Sequence, residues 1–374
     1  MSGGCASFHK RRRLSGSAMI LPKWNFGVTG ETNSAFGRTA AQVLRVCDLG
    51  EGEKVLILAD TATAPVLTHA FADALTALAP STDWVQLIVI PRCPAFADLP
   101  SHVLDALLAA DLVLDLTAVP WLYSDSFTHY AQKCLASKSR LALIWGMPES
   151  VQTIASCPPS TTLANRARRA LHSLNNARTM RIHASNGTDF VAQLGDPLEY
   201  PRAFIGEPPV EPGMIGAPLC ASVTAPFVPG SAQGTLAFVG VGRFQGPENL
   251  PIRADQPAHL TVDAGRVIEV QGTHAAAIAL ADWFASANHE DVFVIMDCNV
   301  GFDPRAELVW ADNTVIHSYN GGTMIGIGNP YEYRPEGSRR PGYHLDLMFP
   351  RVDVDLDEAP FIRAGVFVPE TGIV

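Results

Sequence analysis

Two side chains in the segment "YHLDLMF", His344 and Asp346, stand two residues apart inside an otherwise apolar and aromatic run. Side chains at i and i+2 of a strand share a face. The imidazole and the carboxylate therefore point the same way, close enough for one metal ion to take a ligand from each. A buried carboxylate without a partner is costly, and that cost is the reason to look for a cation here. The plainer reading is an edge strand with one wet face, because a single His is more often packed or exposed than functional. A third candidate is Asp297, which directly follows the apolar run "VFVIM" and precedes Asn299 and Gly301. It is either a strand-end Asp that caps a turn or a carboxylate that needs a cation.

The elements that must position these residues are legible as pattern. From about residue 50 to 180, short apolar runs alternate with helical spacing. "KVLILAD", "WVQLIVIP", "DLVLDLT" and "RLALIWG" read as buried strands. "TAPVLTHAFADALTALAP", "SHVLDALLAA" (with Ser101 as N-cap) and "SFTHYAQKCLAS" read as the helices between them. Such alternation predicts a parallel sheet covered on both faces. "TLANRARRALHSLNNA" then predicts a long basic helix. After about residue 180 the texture changes to mostly antiparallel strands, with hairpin turns at Asn186-Gly187 and Ala264-Gly265 and one helix in "AAAIALADWFASA". Later strands are "VFVIMDCNVG", "TMIGIG", "YHLDLMF", "VDVDLD" and "FIRAGVFV". Gly and Pro gather between 200 and 233 and between 328 and 342, and long loops of that kind often carry function. The expected fold is α/β: a Rossmann-like domain over residues 26–180 and a β-rich, metal-binding domain over 181–374, preceded by a disordered tail, 1–25.

Composition narrows the function classes. The chain has 374 residues, 47% of them hydrophobic, which suits two domains with a sizeable core. The net charge of -10 and the lack of a basic face argue against nucleic acid. No apolar run approaches the ~18 residues of a membrane span. The seven cysteines are scattered without a CxxC and read as reduced thiols of a cytoplasmic protein. The basic run Lys10 to Arg13 is not followed by the apolar stretch of a signal peptide.

From about residue 50 to the C-terminus the chain resembles the 2,5-dihydroxypyridine 5,6-dioxygenase family, itself similar to the M29 aminopeptidases of the aminopeptidase T type. The pieces that carry the resemblance are "AADLVLDL", "NGTDFVAQLG", "AQGTLAFVG", "VGFDPRAELVW" and "GYHLDLMFPRVDVDLD". The resemblance implies one Fe(II), which those dioxygenases hold with two His and one carboxylate. Their HxD strand falls on His344 and Asp346, and their other ligand His falls on Asp297. The implied metal set is thus Asp297, His344 and Asp346, with a carboxylate at the place where the peptidases carry Glu. Fe(II), Mn(II) and Zn(II) all suit such donors. A second ion is not expected, because Met324 and Ala275–Ala277 stand where two further peptidase ligands would be, although Tyr331 matches a peptidase ligand tyrosine.

Catalytic positions are harder to carry over. The nearest counterpart of one family histidine is Tyr123, in the insertion "TAVPWLYSDSFTHY", with His129 beyond it. Another family histidine has no counterpart, as no His lies between 184 and 258. A substrate-binding Arg of the family falls on His317 in "NTVIHSYNGG". His317, Tyr123 and Tyr331 are therefore the catalytic candidates. Against this, His317 reads equally as a loop His, and Tyr123 as core beside Trp121 and Leu122. The implied function is ring opening of a hydroxylated N-heteroaromatic such as 2,5-dihydroxypyridine with O2, by a homo-oligomer with its site in a cleft between the domains. The alternative is a metal-dependent hydrolase in which His317 or Glu332 moves protons; a scaffold without its metal is the non-enzymatic reading. The first strand runs into "LADTATAP", with neither GxGxxG nor GxxxxGK[ST]. Calorimetry with NAD or ATP is therefore expected to show no saturable binding, and a saturating isotherm would refute that reading of the first strand.

Overall fold

The computed structural model describes residues 35–373 apart from 79–83, 93–97, 119–120, 123, 137, 145–160, 239, 242–255, 287–289, 308–316 and 329–343. The expected tail, residues 1–25, lies outside the described residues. So do Tyr123, Tyr331 and Glu332.

The first layer system is built from α1 (Ala35–Val46), β1 (Val55–Asp60), α2 (Pro65–Leu78), β2 (Val85–Ile90), α3 (Ser101–Ala109), β3 (Leu112–Asp115), α4 (Asp125–Ala136) and β4 (Arg140–Leu143). The four strands pair in parallel in the order β2-β1-β3-β4. Alternate residues of each strand feed two separate cores. Val55, Ile57, Leu112, Leu114 and Ala142 meet α1 and α2, whereas Leu56, Leu58, Val113, Leu141 and Leu143 meet α3 and α4. This two-sided burial is why the strands read as continuous apolar runs. Ser101 is not the N-cap of α3. Pro100 takes that position, its carbonyl accepts the N–H groups of Val103 and Leu104, and no side chain caps the helix.

The remaining chain is largely antiparallel. In order it contains α5 (Thr161–Asn176), β5 (Thr179–His183), β6 (Asp189–Gln193), β7 (Ala203–Phe204), β8 (Ile215–Gly216), β9 (Ser222–Pro226), β10 (Gln233–Phe238) and β11 (Gly240–Val241). Then come β12 (Ala258–Asp263), β13 (Arg266–Gln271), α6 (Ala275–Ser286), β14 (Ile295–Gly301), β15 (Thr323–Gly328), β16 (His344–Phe349), β17 (Asp353–Leu356), β18 (Ala359–Arg363) and β19 (Val366–Phe367). The short β8 returns to pair in parallel with β4, so the first sheet takes its fifth strand from beyond residue 180. The others form an eight-stranded sheet, β13-β12-β10-β6-β5-β17-β18-β19, and a six-stranded sheet, β11-β16-β15-β14-β9-β7. One core joins them: Ile182, Phe190, Leu236 and Val354 from the first pack with Val300, Ile325, Ile327, Leu345 and Leu347 from the second. The two expected hairpins form at Gly187 and at Ala264-Gly265, with positive φ at each of those residues. The strand expected from "VFVIMDCNVG" starts later, at Ile295, because Glu290–Phe293 is a 3₁₀ turn. Asp297 is consequently inside its strand and not at its end.

Asp115, the last residue of β3, is fully buried. Its Oδ1 accepts Thr117 N–H and O–H, and its Oδ2 accepts Trp121 Nε1–H. Burial outweighs these donors and pushes the carboxyl up to about 6. A carboxyl whose folded value lies above its unfolded one stabilises most below the unfolded value, near 3.8, and that contribution is lost as pH rises through about 6. Asp115→Asn removes the ionisation. Its stability relative to wild type is expected to improve between pH 4 and pH 7.5, by at most ~3 kcal/mol. Urea melts at the two pH values check this; an unchanged gap would remove the argument.

Candidate functional site

β16 is not an edge strand. It pairs with β15 on one side and β11 on the other, and all six of its residues are buried. Leu345 and Leu347 enter the sandwich core, so His344 and Asp346 occupy the opposite face of the sheet. The ladder then places residues in rows across that face. Met348 stands opposite Met324, Asp346 opposite Gly326, and His344 opposite Gly328. Met324 and Met348 pack together, an apolar patch beside the polar pair.

Asp297 joins this face through an irregularity. Ile295 pairs with Ile327, and Asp297 pairs with Gly326, so two residues of β14 advance for one of β15. The β-bulge at Met296 turns Ile295 to the core and Asp297 to the other side. Asp297, Gly326 and Asp346 thus form one row across three strands. The Asp297 side chain lies over the glycine: a Cβ on Gly326 would collide with Asp297 Oδ1. Asn299 Nδ2 donates to that oxygen at 3.3 Å.

His317 reaches the same carboxylate from outside the sheet. It belongs to the segment 317–322 that leads into β15. That segment is tied down by its backbone: Ser318 Oγ accepts Ala221 N–H at 2.9 Å, and Ser318 O accepts Asp303 N–H at 2.9 Å. The carbonyls of His317 and Tyr319 sit directly above Gly301. From this anchor His317 Nε2 comes within 3.4 Å of Asp346 Oδ2, and His344 Nε2 within 3.3 Å of the same oxygen. The side chains are 15%, 4% and 0% exposed for His317, His344 and Asp346.

These separations are long for hydrogen bonds to a carboxylate, which run at about 2.7–3.2 Å. Among the described residues neither oxygen of Asp346 has a well-formed hydrogen bond. Burial alone would raise its pKa, but the imidazoles of His344 and His317 outweigh burial and hold the carboxyl well below the usual range. The spacing does match donors sharing an ion, since bonds of roughly 2.0–2.2 Å place neighbouring ligands about 3–3.5 Å apart. No group of three or more His, Cys, Asp or Glu side chains among the described residues is arranged to hold a metal ion as it stands; both rings converge on one oxygen. Two nitrogens, one fully buried carboxylate and its unsatisfied oxygens nonetheless fit a divalent first-row metal.

Of the residues singled out by sequence, the structure brings His317, His344 and Asp346 together and sets Asp297 on their face. His129 is exposed on α4. His317 was legible only as a family position with a different role, because nothing in "NTVIHSYNGG" signals where its chain crosses the sheet.

The fold is that of an α/β protein whose parallel-sheet layers join an antiparallel sandwich carrying a His/Asp cluster. The profile of the NicX family, 2,5-dihydroxypyridine 5,6-dioxygenase, matches residues 36–369, and the chain belongs to that family. The structure is similar to that of 2,5-dihydroxypyridine dioxygenase from Pseudomonas putida KT2440, with a TM-score of 0.73 and 21% identity over 89% of this chain and 96% of that one. It is also similar to wild-type AmpT from Thermus thermophilus, with a TM-score of 0.59 and 14% identity over 90% of this chain and all of that one. No curated protein sequence matches the chain.

The two glycines under the site make a testable contrast. The nearest atoms to a Cβ on Gly326 belong to the Asp297 side chain, which can rotate away, whereas the nearest to a Cβ on Gly301 are backbone atoms of His317, Ser318 and Tyr319. Gly301→Ala is expected to lower thermal stability clearly more than Gly326→Ala, with overpacking costs of about 1–3 kcal/mol as the scale. Melting curves of the two variants check the order; equal losses would show that the segment 317–322 yields as easily as one side chain.

Proposed function

We propose that the chain is a mononuclear non-haem Fe(II) dioxygenase that opens a hydroxylated N-heteroaromatic ring, with 2,5-dihydroxypyridine as the first substrate to test. The observation that carries the reading is Asp346, wholly buried with two imidazole nitrogens on one oxygen, in the strand where the family's HxD motif falls. Family membership supports the reaction class: ring cleavage with O2. His344 and Asp346 would hold the ion. When bound, Fe(II) supplies the one-electron chemistry that lets triplet dioxygen react with a closed-shell ring. The balance needs no outside reductant: both oxygen atoms enter the product as the bond between ring carbons 5 and 6 breaks.

The chain's own residues do the rest. Met324 and Met348 line an apolar flank that keeps water from the carboxylate. Gly328 leaves the position opposite His344 without a side chain, and the Asp297 side chain lies over Gly326. Asp297, half-buried on the same face, supplies a second negative group, either on the ion or as acceptor of a substrate proton at Oδ2. The reading extends to a cytoplasmic homo-oligomer. The compartment is supported by Cys47, Cys134, Cys220 and Cys298, which are buried thiols outside any disulfide among the described residues. No helix among the described residues is long and apolar enough to cross a membrane.

The test is oxygen uptake by protein reconstituted anaerobically with Fe(II) and given 2,5-dihydroxypyridine. One O2 per ring is expected, with both labelled atoms of ¹⁸O2 in the opened product. His344→Ala and Asp346→Asn should each cut turnover by about 100-fold or more while leaving the far-UV spectrum unchanged, since even losing support behind a ligand costs 10–100-fold. Cleavage of peptide amides without oxygen uptake would replace the dioxygenase with a hydrolase. Unchanged turnover in both variants would remove the metal from this strand.

A further inference from the structure

We propose that His317 is the third metal ligand, so that the ion is held by His317, His344 and Asp346, with Asp297 beside the ion instead of on it. The inference rests on the reading that the chain carries one metal. It differs from the ligand set that the motif positions imply, in which Asp297 takes the place of a histidine and His317 that of an arginine.

Three observations carry it. The first is position. His317 Nε2 and His344 Nε2 approach the same oxygen of Asp346, at 3.4 and 3.3 Å, so both nitrogens already meet one carboxylate. The second is reach. Asp297 and Asp346 lie in one row with the whole of β15 between them, two strand spacings or about 10 Å from backbone to backbone. The Asp297 carboxylate lies over Gly326, on the β15 side of Asp346, whereas both imidazoles meet the Asp346 carboxylate itself. Asp297 is also the more solvated group, half-buried where Asp346 is fully buried, and its Oδ1 accepts from Asn299.

The third is anchorage. A ligand must be held by its surroundings. The backbone that carries His317 is fixed on the sheet through Ser318, which is wholly buried and bonded to Ala221 and Asp303. Gly301 lets this segment approach so closely, since any side chain there would strike the carbonyls of His317 and Tyr319. Two imidazoles and one carboxylate leave further positions open for a substrate and O2. A second anionic ligand at Asp297 would instead place extra charge on the ion. Off the ion, Asp297 stands where it can take a proton from a ring hydroxyl. A histidine in the loop has thus replaced the imidazole that the strand lacks.

The test uses the full-length protein, freed of metal, labelled with ¹⁵N at histidine and titrated with Zn(II). Wild type is expected to bind one Zn(II) and to shift the ring nitrogens of two histidines. His317→Gln should shift only one and bind at least ~10-fold more weakly. Asp297→Asn should still shift two and keep its affinity close to wild type. Apoprotein melting curves establish that each variant is folded. If His317→Gln keeps wild-type affinity while Asp297→Asn loses it, the proposal is overturned and Asp297 is the ligand. If wild type binds no Zn(II), the single-metal reading itself fails, a result distinct from the first because it appears before any substitution is made.

Discussion

A carboxylate buried without solvent is the constraint that organises the second half of this molecule. Asp346 lies on a strand paired on both sides, with none of its side chain exposed. Removing such a charge from water costs several kcal/mol unless something positive or donating meets it. On β15 the residues across from Asp346 and diagonal to it are Gly326, Gly328 and Met324, none of which can donate from a side chain. Compensation has to come along the strand, from His344, or from outside the sheet, from His317. Both arrive, and both stop at a distance better suited to sharing a cation than to a hydrogen bond. A structural ion pair would be expected to close up.

The positions of the site side chains depend on two departures from regular strand geometry. The bulge at Met296 costs one ladder pairing and in return turns Asp297 away from the core while Ile295 stays in it. Without it, Ile295 and Asp297 would share a face, and one of them would be misplaced. The glycines at 301 and 326 do complementary work. Gly301 gives the His317 segment a place to rest, and Gly326 gives the Asp297 side chain a surface to lie on. The site is therefore assembled by removing side chains from the sheet as much as by adding functional ones.

The sequence showed much of this and missed the rest for identifiable reasons. Period-two and run-length signals located the strands of the parallel sheet, because residues buried on both faces leave no polar positions to confuse the pattern. The shared face of His344 and Asp346 follows from strand geometry alone. The face of Asp297 does not: a bulge shifts parity by one, and "VFVIMDCN" holds no glycine or proline to announce it. Asp297 was expected at a strand end because Val292 and Phe293 read as strand, whereas a 3₁₀ turn claims them. α1 has helical apolar spacing at Ala40, Val43 and Leu44, but the alternation that defines the sheet begins only after it. β8 could not be read at all, since two residues in a Gly/Pro-rich loop carry no period. His317 is the clearest case. Its role is set by tertiary placement, and only the chain path over Gly301 reveals it.

The carboxylates of the parallel sheet show why the chemistry belongs to the other one. Between β1 and β3 the strand order reverses direction, and the crevice outside the carboxyl ends of such strands is where ligands of open α/β sheets bind. Asp60 and Asp115 end those two strands and are both buried. Yet each is committed to its own loop. Asp60 Oδ1 accepts Ala62 N–H at 2.8 Å and Thr63 O–H at 3.2 Å. Asp115 takes three donors from Thr117 and Trp121, all at 3.0 Å or less. Their hydrogen bonds are short and local, so these groups fix turns and have little capacity left for a ligand. Asp346 is buried as deeply, has no well-formed hydrogen bond among the described residues, and draws its partners from two histidines 27 residues apart in sequence. Burial alone does not distinguish a functional carboxylate from a structural one. What distinguishes them is whether the surrounding backbone satisfies the charge, and at Asp346 it leaves that task to groups that a metal can share.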